Sequence, residues 1–231
     1  AVNPTSGVIG EAWETFKAHW RHLVPIALVV YVAVALISLV LVLLLTWFGA
    51  ILSFIISLIA LFWVQGALVR AVEDIRDGRA DMSLGETYQR VRPQLPAIIV
   101  GGLLAGLGIA LGLVLLIVPG LILLTWWIVL IPVIVLEERS AGEAFGRSRE
   151  LVRGHAWSVF GVIVLTILVV IAFNIVLSLL LLPVSDWLRS FLSNIIIGTV
   201  VTPFVVVTWT TLYYRLRAAK EPPAEAPATP A

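Results

Sequence analysis

The sequence predicts an all-α polytopic membrane protein with six transmembrane helices arranged as three hairpins, each preceded by an amphipathic helix lying in the plane of the cytoplasmic membrane surface. Three observations predict it. Of 231 residues, 61% are hydrophobic and 13% charged, whereas soluble domains are roughly half apolar and a quarter charged. The charges avoid long blocks: Asp, Glu, Lys and Arg are missing from Leu23 through Val69, from Pro93 through Leu136, from Gly154 through Ser185 and from Ser190 through Tyr214. A short motif also recurs before each hairpin: Gly10-Glu11-Ala12-Trp13, Gly85-Glu86-Thr87-Tyr88 and Gly142-Glu143-Ala144-Phe145.

About 20 apolar residues cross the hydrocarbon as a helix, and helix is required because lipid offers the backbone no other hydrogen-bond partner. The first two blocks therefore hold two crossings and a tight turn each, and the last two hold one each. Trp47-Phe48-Gly49 marks the first turn. Pro119-Gly120 marks the second, since Pro removes a helical donor and Gly accepts turn dihedrals. The spans are placed at 23–47, 50–69, 97–118, 120–136, 157–182 and 195–214, within a transmembrane domain of residues 1–217. A Pro- and Ala-rich tail, 218–231, is expected to be disordered. The first apolar run is too long for a signal-peptide core and lacks a small-residue cleavage pattern. The chain opens on Ala1 rather than Met, which leaves open whether residues precede it.

Six crossings put both termini and the two long loops on one side. That side carries Lys17, Arg21, Arg70, Arg76, Arg79, Arg90, Arg92, Arg139, Arg147, Arg149, Arg153, Arg215, Arg217 and Lys220; the other carries Arg189 alone. The excess of cations marks the cytoplasmic face.

The recurring motif opens an amphipathic helix in each repeat. Ser83-x-x-Glu86 and Ser140-x-x-Glu143 read as capping boxes, in which Ser and Glu satisfy free backbone donors at a helix start. Val8, Ala12, Trp13, Phe16 and Trp20 share one face; so do Leu84, Tyr88, Val91 and Leu95, and so do Ala141, Ala144, Phe145, Leu151, Val152 and Ala156, with Arg147, Arg149 and Arg153 toward the other side. Such helices are expected along the headgroup layer, apolar face down. A fourth in-plane helix is expected on the outer side, capped by Ser185, with Trp187, Leu188, Phe191 and Leu192 toward lipid and Asp186, Arg189 and Asn194 toward water.

Within the bundle, Gly101, Ala105, Gly108 and Gly112 fall on one face of the third span, a surface on which another helix can approach closely. The partner is either a neighbouring span or a second copy of the chain. Pro132 and Pro203 should kink the fourth and sixth spans, each freeing the carbonyl four residues earlier. Thr199 and Thr202 are placed to satisfy the carbonyl freed by Pro203. The polar side chains at depth, chiefly Gln65, Asn174 and Thr199, are candidate intramembrane contacts; Asn174 is expected to bond a neighbouring helix.

Catalytic, cofactor and metal sites are all predicted to be none. No span contains a charged residue, which removes the usual mark of a proton or ion path. There is no Cys. No P-loop, GxSxG or HExxH occurs. His19, His22 and His155 lack a carboxylate at ligand spacing. The acid pairs Glu73-Asp74 and Glu137-Glu138 are expected as solvated partners of Arg70 and Arg139. The arginines of the amphipathic segments, Arg90, Arg92, Arg147, Arg149 and Arg153, are candidate contacts for anionic lipid headgroups. No nucleic-acid partner is indicated by a net charge of +1.

From Val118 to Gly161 the chain resembles bacterial membrane proteins of the glycerophosphoryl diester phosphodiesterase membrane-domain type and the related YciC-like uncharacterised family. Pro119-Gly120, Pro132, Glu137, Ala144, Arg147-Ser148, Leu151-Val152, Gly154, Trp157 and Phe160-Gly161 carry the resemblance, and Glu11-Ala12-Trp13 to Pro25 fits it loosely. The resemblance implies a bacterial inner-membrane protein. In that family a soluble phosphodiesterase domain can follow the membrane part; the sequence in hand shows only the membrane part, so the resemblance does not imply hydrolysis here. The reading favours a non-enzymatic scaffold or accessory factor that binds lipid or a partner protein. The alternative is a transporter or flippase for an amphiphile, and the third reading is the membrane part of a phosphodiesterase system.

Overall fold

The computed structural model describes residues 4–221. The fold is all-α. Helix α1 runs from Val8 to Arg76, with non-helical backbone at His19 and at Thr46 (φ 48°, ψ −113°). A Cβ on Gly49 would lie 2.0 Å from the Leu41 carbonyl oxygen, whereas residues eight apart in a straight helix are about 12 Å apart. The chain therefore turns back on itself at Thr46, just before the expected Trp47-Phe48-Gly49. Gly49 is needed not for turn dihedrals but for its missing side chain. The returning arm continues to Arg76, beyond the expected end at 69, because Ala71, Val72 and Asp74 are buried by protein.

Helix α2 (Leu84–Val91) leads through a 3₁₀ turn (Arg92–Gln94) into α3 (Leu95–Leu115). Leu116 is extended, and α4 (Ile117–Trp127) returns at once. The expected turn at Pro119-Gly120 is corrected: both residues lie in the first turn of α4, where amide donors are free and Pro is tolerated. Gly120 lets α4 pass Gly112, to whose Cβ position its Cα is 2.8 Å. The chain then breaks at Ile128–Val129 before α5 (Leu130–Leu136). Pro132, expected to kink the span, has no amide hydrogen for the Ile128 carbonyl, so the helix is interrupted there.

Helix α6 (Ala141–Val152) precedes α7 (Ala156–Leu180), and α8 (Asp186–Ile196) passes through a π-helical turn (Ile197–Val201) into α9 (Thr202–Lys220). Ser185 occupies the N-cap of α8, but its side chain makes no capping bond. Here too a correction is needed: the Thr199 hydroxyl is buried without a partner, and Thr202 meets the Tyr31 hydroxyl at 3.2 Å. The π turn, with its wider ring, accommodates Pro203 in their place. Helix α9 extends past the expected boundary at 217; the remainder of the proposed tail lies outside the described residues.

Five of these helical stretches are long and apolar enough to cross a membrane: Val8–Arg76, Leu84–Leu115, Ile117–Leu136, Ala156–Leu180 and Leu188–Lys220. The three motif-bearing helices hold equivalent places around them. Both capping boxes form, with Ser83 and Ser140 each bonded to the carboxylate and amide of Glu86 and Glu143. The first repeat has no such box; Gly7 caps it in the left-handed region at φ 73°. At the third motif position Ala12, Thr87 and Ala144 are all fully buried. At the fourth, each aromatic meets a ring edge-on: Trp13 with Phe204 at 6.1 Å, Tyr88 with Trp63 at 5.4 Å and Phe145 with Trp127 at 4.9 Å. Each helix packs on the preceding returning arm, and the first closes the ring on α9.

This corrects what covers much of the apolar faces expected to lie against lipid. Val8, Ala12 and Phe16 are buried, as are Thr87 and Val91, and Ala144, Ser148, Leu151 and Val152. Protein covers these residues because each helix finds a complementary apolar arm beside it, while Trp13, Trp20 and Leu84 of the same faces stay exposed.

Candidate functional site: the charged end and its cavities

Where the returning arms emerge, a network of ion pairs ties them to the motif helices. The Glu137 carboxylate, 9% exposed, accepts bonds from Arg147 Nε at 3.0 Å, Arg139 Nε at 2.7 Å and the Tyr213 hydroxyl at 3.0 Å. Arg147 also reaches Glu150 and Glu221 and is only 11% exposed. Arg70, similarly buried, bridges Glu73 at 2.9 Å and Glu138 at 3.0 Å. Glu11 joins Arg76 at 3.1 Å and Arg215 at 2.8 Å, and Arg76 stacks 4.4 Å over the Tyr214 ring. The contacts of Arg70 with Glu138, Glu11 with Arg76 and Arg215, Arg147 with Glu221, and Tyr213 with Glu137 pair residues far apart in sequence, so they lock the ends of α1, α5, α6 and α9 together.

Of the acid pairs expected as solvated partners of Arg70 and Arg139, Glu73 and Glu138 do pair with Arg70 and Glu138 is exposed, whereas Asp74 is buried and Glu137 nearly so. Asp74 is 3% exposed, and its Oδ2 accepts the amides of Asp81 and Met82 at 3.0 and 3.2 Å. Arg147 in turn is not free for a headgroup. Glu221 is held below the usual carboxylate range by hydrogen bonds from Arg147 and Arg217. Glu86 and Glu143 are lowered by the hydrogen bonds of Ser83 and Ser140.

The remaining candidate arginines are placed differently. Arg90, Arg92, Arg149 and Arg153 are exposed, and none forms an ion pair with the described residues. Arg149 lies 4.2 Å over the Trp126 ring, a cation–π contact that fixes the guanidinium. The Ser148 hydroxyl donates to the Trp126 carbonyl at 2.7 Å, capping the end of α4 that the break at Ile128–Val129 leaves open.

The small-residue face of α3 serves packing within the chain. Cβ atoms at Gly101 and Gly108 would press on Ile134 at 2.9 Å and Trp127 at 2.8 Å, and Ala105 is buried. Beside this face lies a half-enclosed cavity of about 250 Å³, lined by Phe62, Gln65, Gly102, Ala105, Trp127, Pro132 and Trp209. Gln65 brings an amide to an otherwise apolar wall. Asn174 does not join it; its Nδ2 donates to the Val170 carbonyl of its own helix at 2.8 Å. Thr199 lies in the π turn, away from this cavity. Sequence reasoning also missed Tyr88 and Tyr213 as polar links: the Tyr88 hydroxyl donates to the Ile26 carbonyl at 2.6 Å. An isolated Tyr has no pattern that names its distant acceptor.

Among the described residues, no three His, Asp or Glu side chains converge into a metal-binding group. His19 Nδ1 is 3.2 Å from the Thr15 carbonyl within its own helix.

No curated protein and no solved structure matches the chain. A family model described as the membrane domain of glycerophosphoryl diester phosphodiesterase matches residues 91–226. This stretch is more than half of the chain and covers one of the three motif helices, α6, together with the α3–α5 hairpin, α7, α8 and α9. The chain is therefore a multi-pass membrane protein that belongs to the family of the membrane domain of glycerophosphoryl diester phosphodiesterase.

Proposed function

We propose that this domain is a non-enzymatic bacterial inner-membrane module that crosses the bilayer six times, keeps both termini in the cytoplasm, and holds anionic lipid at its charged end. The reversal at Thr46 supports six crossings, since it divides the longest apolar helix into two antiparallel arms. The distribution of basic residues supports the orientation. The observation that carries lipid binding is the division of labour among arginines. Arg70, Arg76, Arg147 and Arg215 are committed to carboxylates, whereas Arg90, Arg92, Arg149 and Arg153 remain exposed and available to phosphate. Basic groups at this depth favour anionic lipid by about 1 kcal/mol each.

The test is lipid analysis of the full chain extracted in native-membrane discs. Anionic lipid should be enriched over the bulk membrane, and substituting Arg90, Arg92, Arg149 and Arg153 together by Ala should abolish the enrichment. A bulk-like composition in both samples would overturn the reading. Within a phosphodiesterase system, such a domain would serve as the part that holds lipid.

The Gln65 cavity favours a second reading, transport or flipping of an amphiphile. On that reading, filling the cavity with Gly102→Leu stops movement of a labelled lipid between leaflets in vesicles containing the protein. Unchanged movement, or none with the unsubstituted chain, counts against it.

A further inference from the structure

We infer that the wedge between α4 and α7 is a site for one anionic phospholipid, with an acyl chain in the wedge and the phosphate held by Arg149 and Arg153. This rests on the lipid-binding reading above and adds a location to it.

The two helices pack together and leave a groove of about 460 Å³ between them, within the ~300–1,000 Å³ span of small-molecule sites. Leu121, Ile122, Thr125, Trp126, Trp157 and Phe160 line it. The Thr125 hydroxyl is already bonded to the Leu121 carbonyl at 2.7 Å, so it makes no polar demand on a hydrocarbon guest. Trp157 is 84% exposed and meets Phe160 edge-on at 6.2 Å, forming an aromatic rim.

Charge stands at one end of the groove. Arg149 is stacked on the lining residue Trp126. Arg153 caps α6 three residues before the lining residue Ala156. Both are exposed and without a carboxylate partner among the described residues. A slot of hydrocarbon character ending at two cations, one held rigid on an indole, complements a molecule with an apolar chain and an anionic head. Neither half of the site is satisfied by a soluble anion alone.

The experiment is native mass spectrometry of the delipidated full chain in detergent, titrated with phosphatidylglycerol, with phosphatidylcholine and with acyl-free glycerol 3-phosphate. The expected result is one tightly bound phosphatidylglycerol per chain, weaker phosphatidylcholine and no retained glycerol 3-phosphate. Ile122→Trp, which fills the slot, should remove that lipid, while Ile171→Trp on an exposed part of α7 should not. Arg149→Gln and Arg153→Gln should each weaken it about fivefold. Thermal unfolding of each variant confirms that it is folded. Retention of the lipid by Ile122→Trp, equal loss in both Trp variants, or equal binding of the two phospholipids would overturn the site. If anionic lipid is enriched in discs but Ile122→Trp has no effect, the site fails and the broader reading stands. If one lipid is displaced by Ile122→Trp without any enrichment in discs, the broader reading fails instead.

Discussion

The charged end and the far end of this molecule are built from the same helices by different rules. At the charged end Val8, Ala12, Ala71, Val135, Leu151 and Leu216 are at most 1% exposed, and arginines and glutamates cross-link the arms. At the far end Leu44 is 74% exposed, Trp47 84%, Phe48 80%, Val114 84%, Leu115 77% and Leu180 70%. Water borders the charged end, so apolar groups there must be covered by protein. Lipid solvates the far end, and an apolar side chain gains little there from a protein neighbour. What holds the far hairpins is close backbone approach, Gly49 on Leu41 and Gly112 on Gly120.

The largest expected effect tests the charged end. Arg147→Ala leaves the nearly buried Glu137 without its main counter-ion, and removal of one partner of a buried pair costs about 3–5 kcal/mol. Thermal unfolding in detergent should show the loss, with Glu137→Ala comparably damaging. A change within the noise would mean that the network is ornamental. A paired test contrasts the two regions directly. Leu216→Ala, fully buried, should cost about 2–5 kcal/mol, whereas Leu44→Ala should stay within about 0.5 kcal/mol. Equal effects would abolish the distinction.

Next come the backbone contacts of the far end. Gly112→Ala places a methyl 2.8 Å from the Gly120 Cα, and such overpacking costs about 1–3 kcal/mol. Gly106→Ala, which meets nothing within 4 Å, is the control. The smallest effect belongs to the motif helices. Ser140→Ala removes a cap worth about 1 kcal/mol. The Glu86 and Glu143 carboxylates, lowered below their ordinary 4.5 by the capping serines, contribute stability that is complete above that value. It is lost as pH falls below 4.5 through the depressed folded values, because the unfolded chain binds protons first. Unfolding midpoints at stepwise lower pH should therefore fall, and by less in the Ser140→Ala variant.

The legible parts of the site were those carried by local spacing. The two capping boxes formed where Ser-x-x-Glu places them, because a cap involves only one helical turn. The glycine face of α3 was likewise visible, since 3.6-residue periodicity puts small residues together. Arg147 and Arg149, two residues apart, illustrate what was not. One is buried against Glu137 and the other is stacked on Trp126, and nothing local distinguishes their roles. Asn174 could be singled out by polarity alone, but its bond to Val170 competes with partners whose distance no sequence states. The break at Ile128–Val129 was foreshadowed by Pro132, yet its capping by Ser148 depends on how α6 docks.

By itself, the order of residues determined that this chain lives in oil, roughly where its helices lie, and that its three segments before the hairpins are alike. Those are consequences of hydrogen-bond need and hydrophobic period, which act over a few residues at a time. Only the tertiary structure decided that those three segments close a ring on the returning arms, and which arginines are consumed by carboxylates and which are left over. Partner choice over such separations (Glu11 with Arg215, Glu137 with Tyr213) depends on the packing of whole helices, and charge pairs are satisfied only after that packing has brought them within reach.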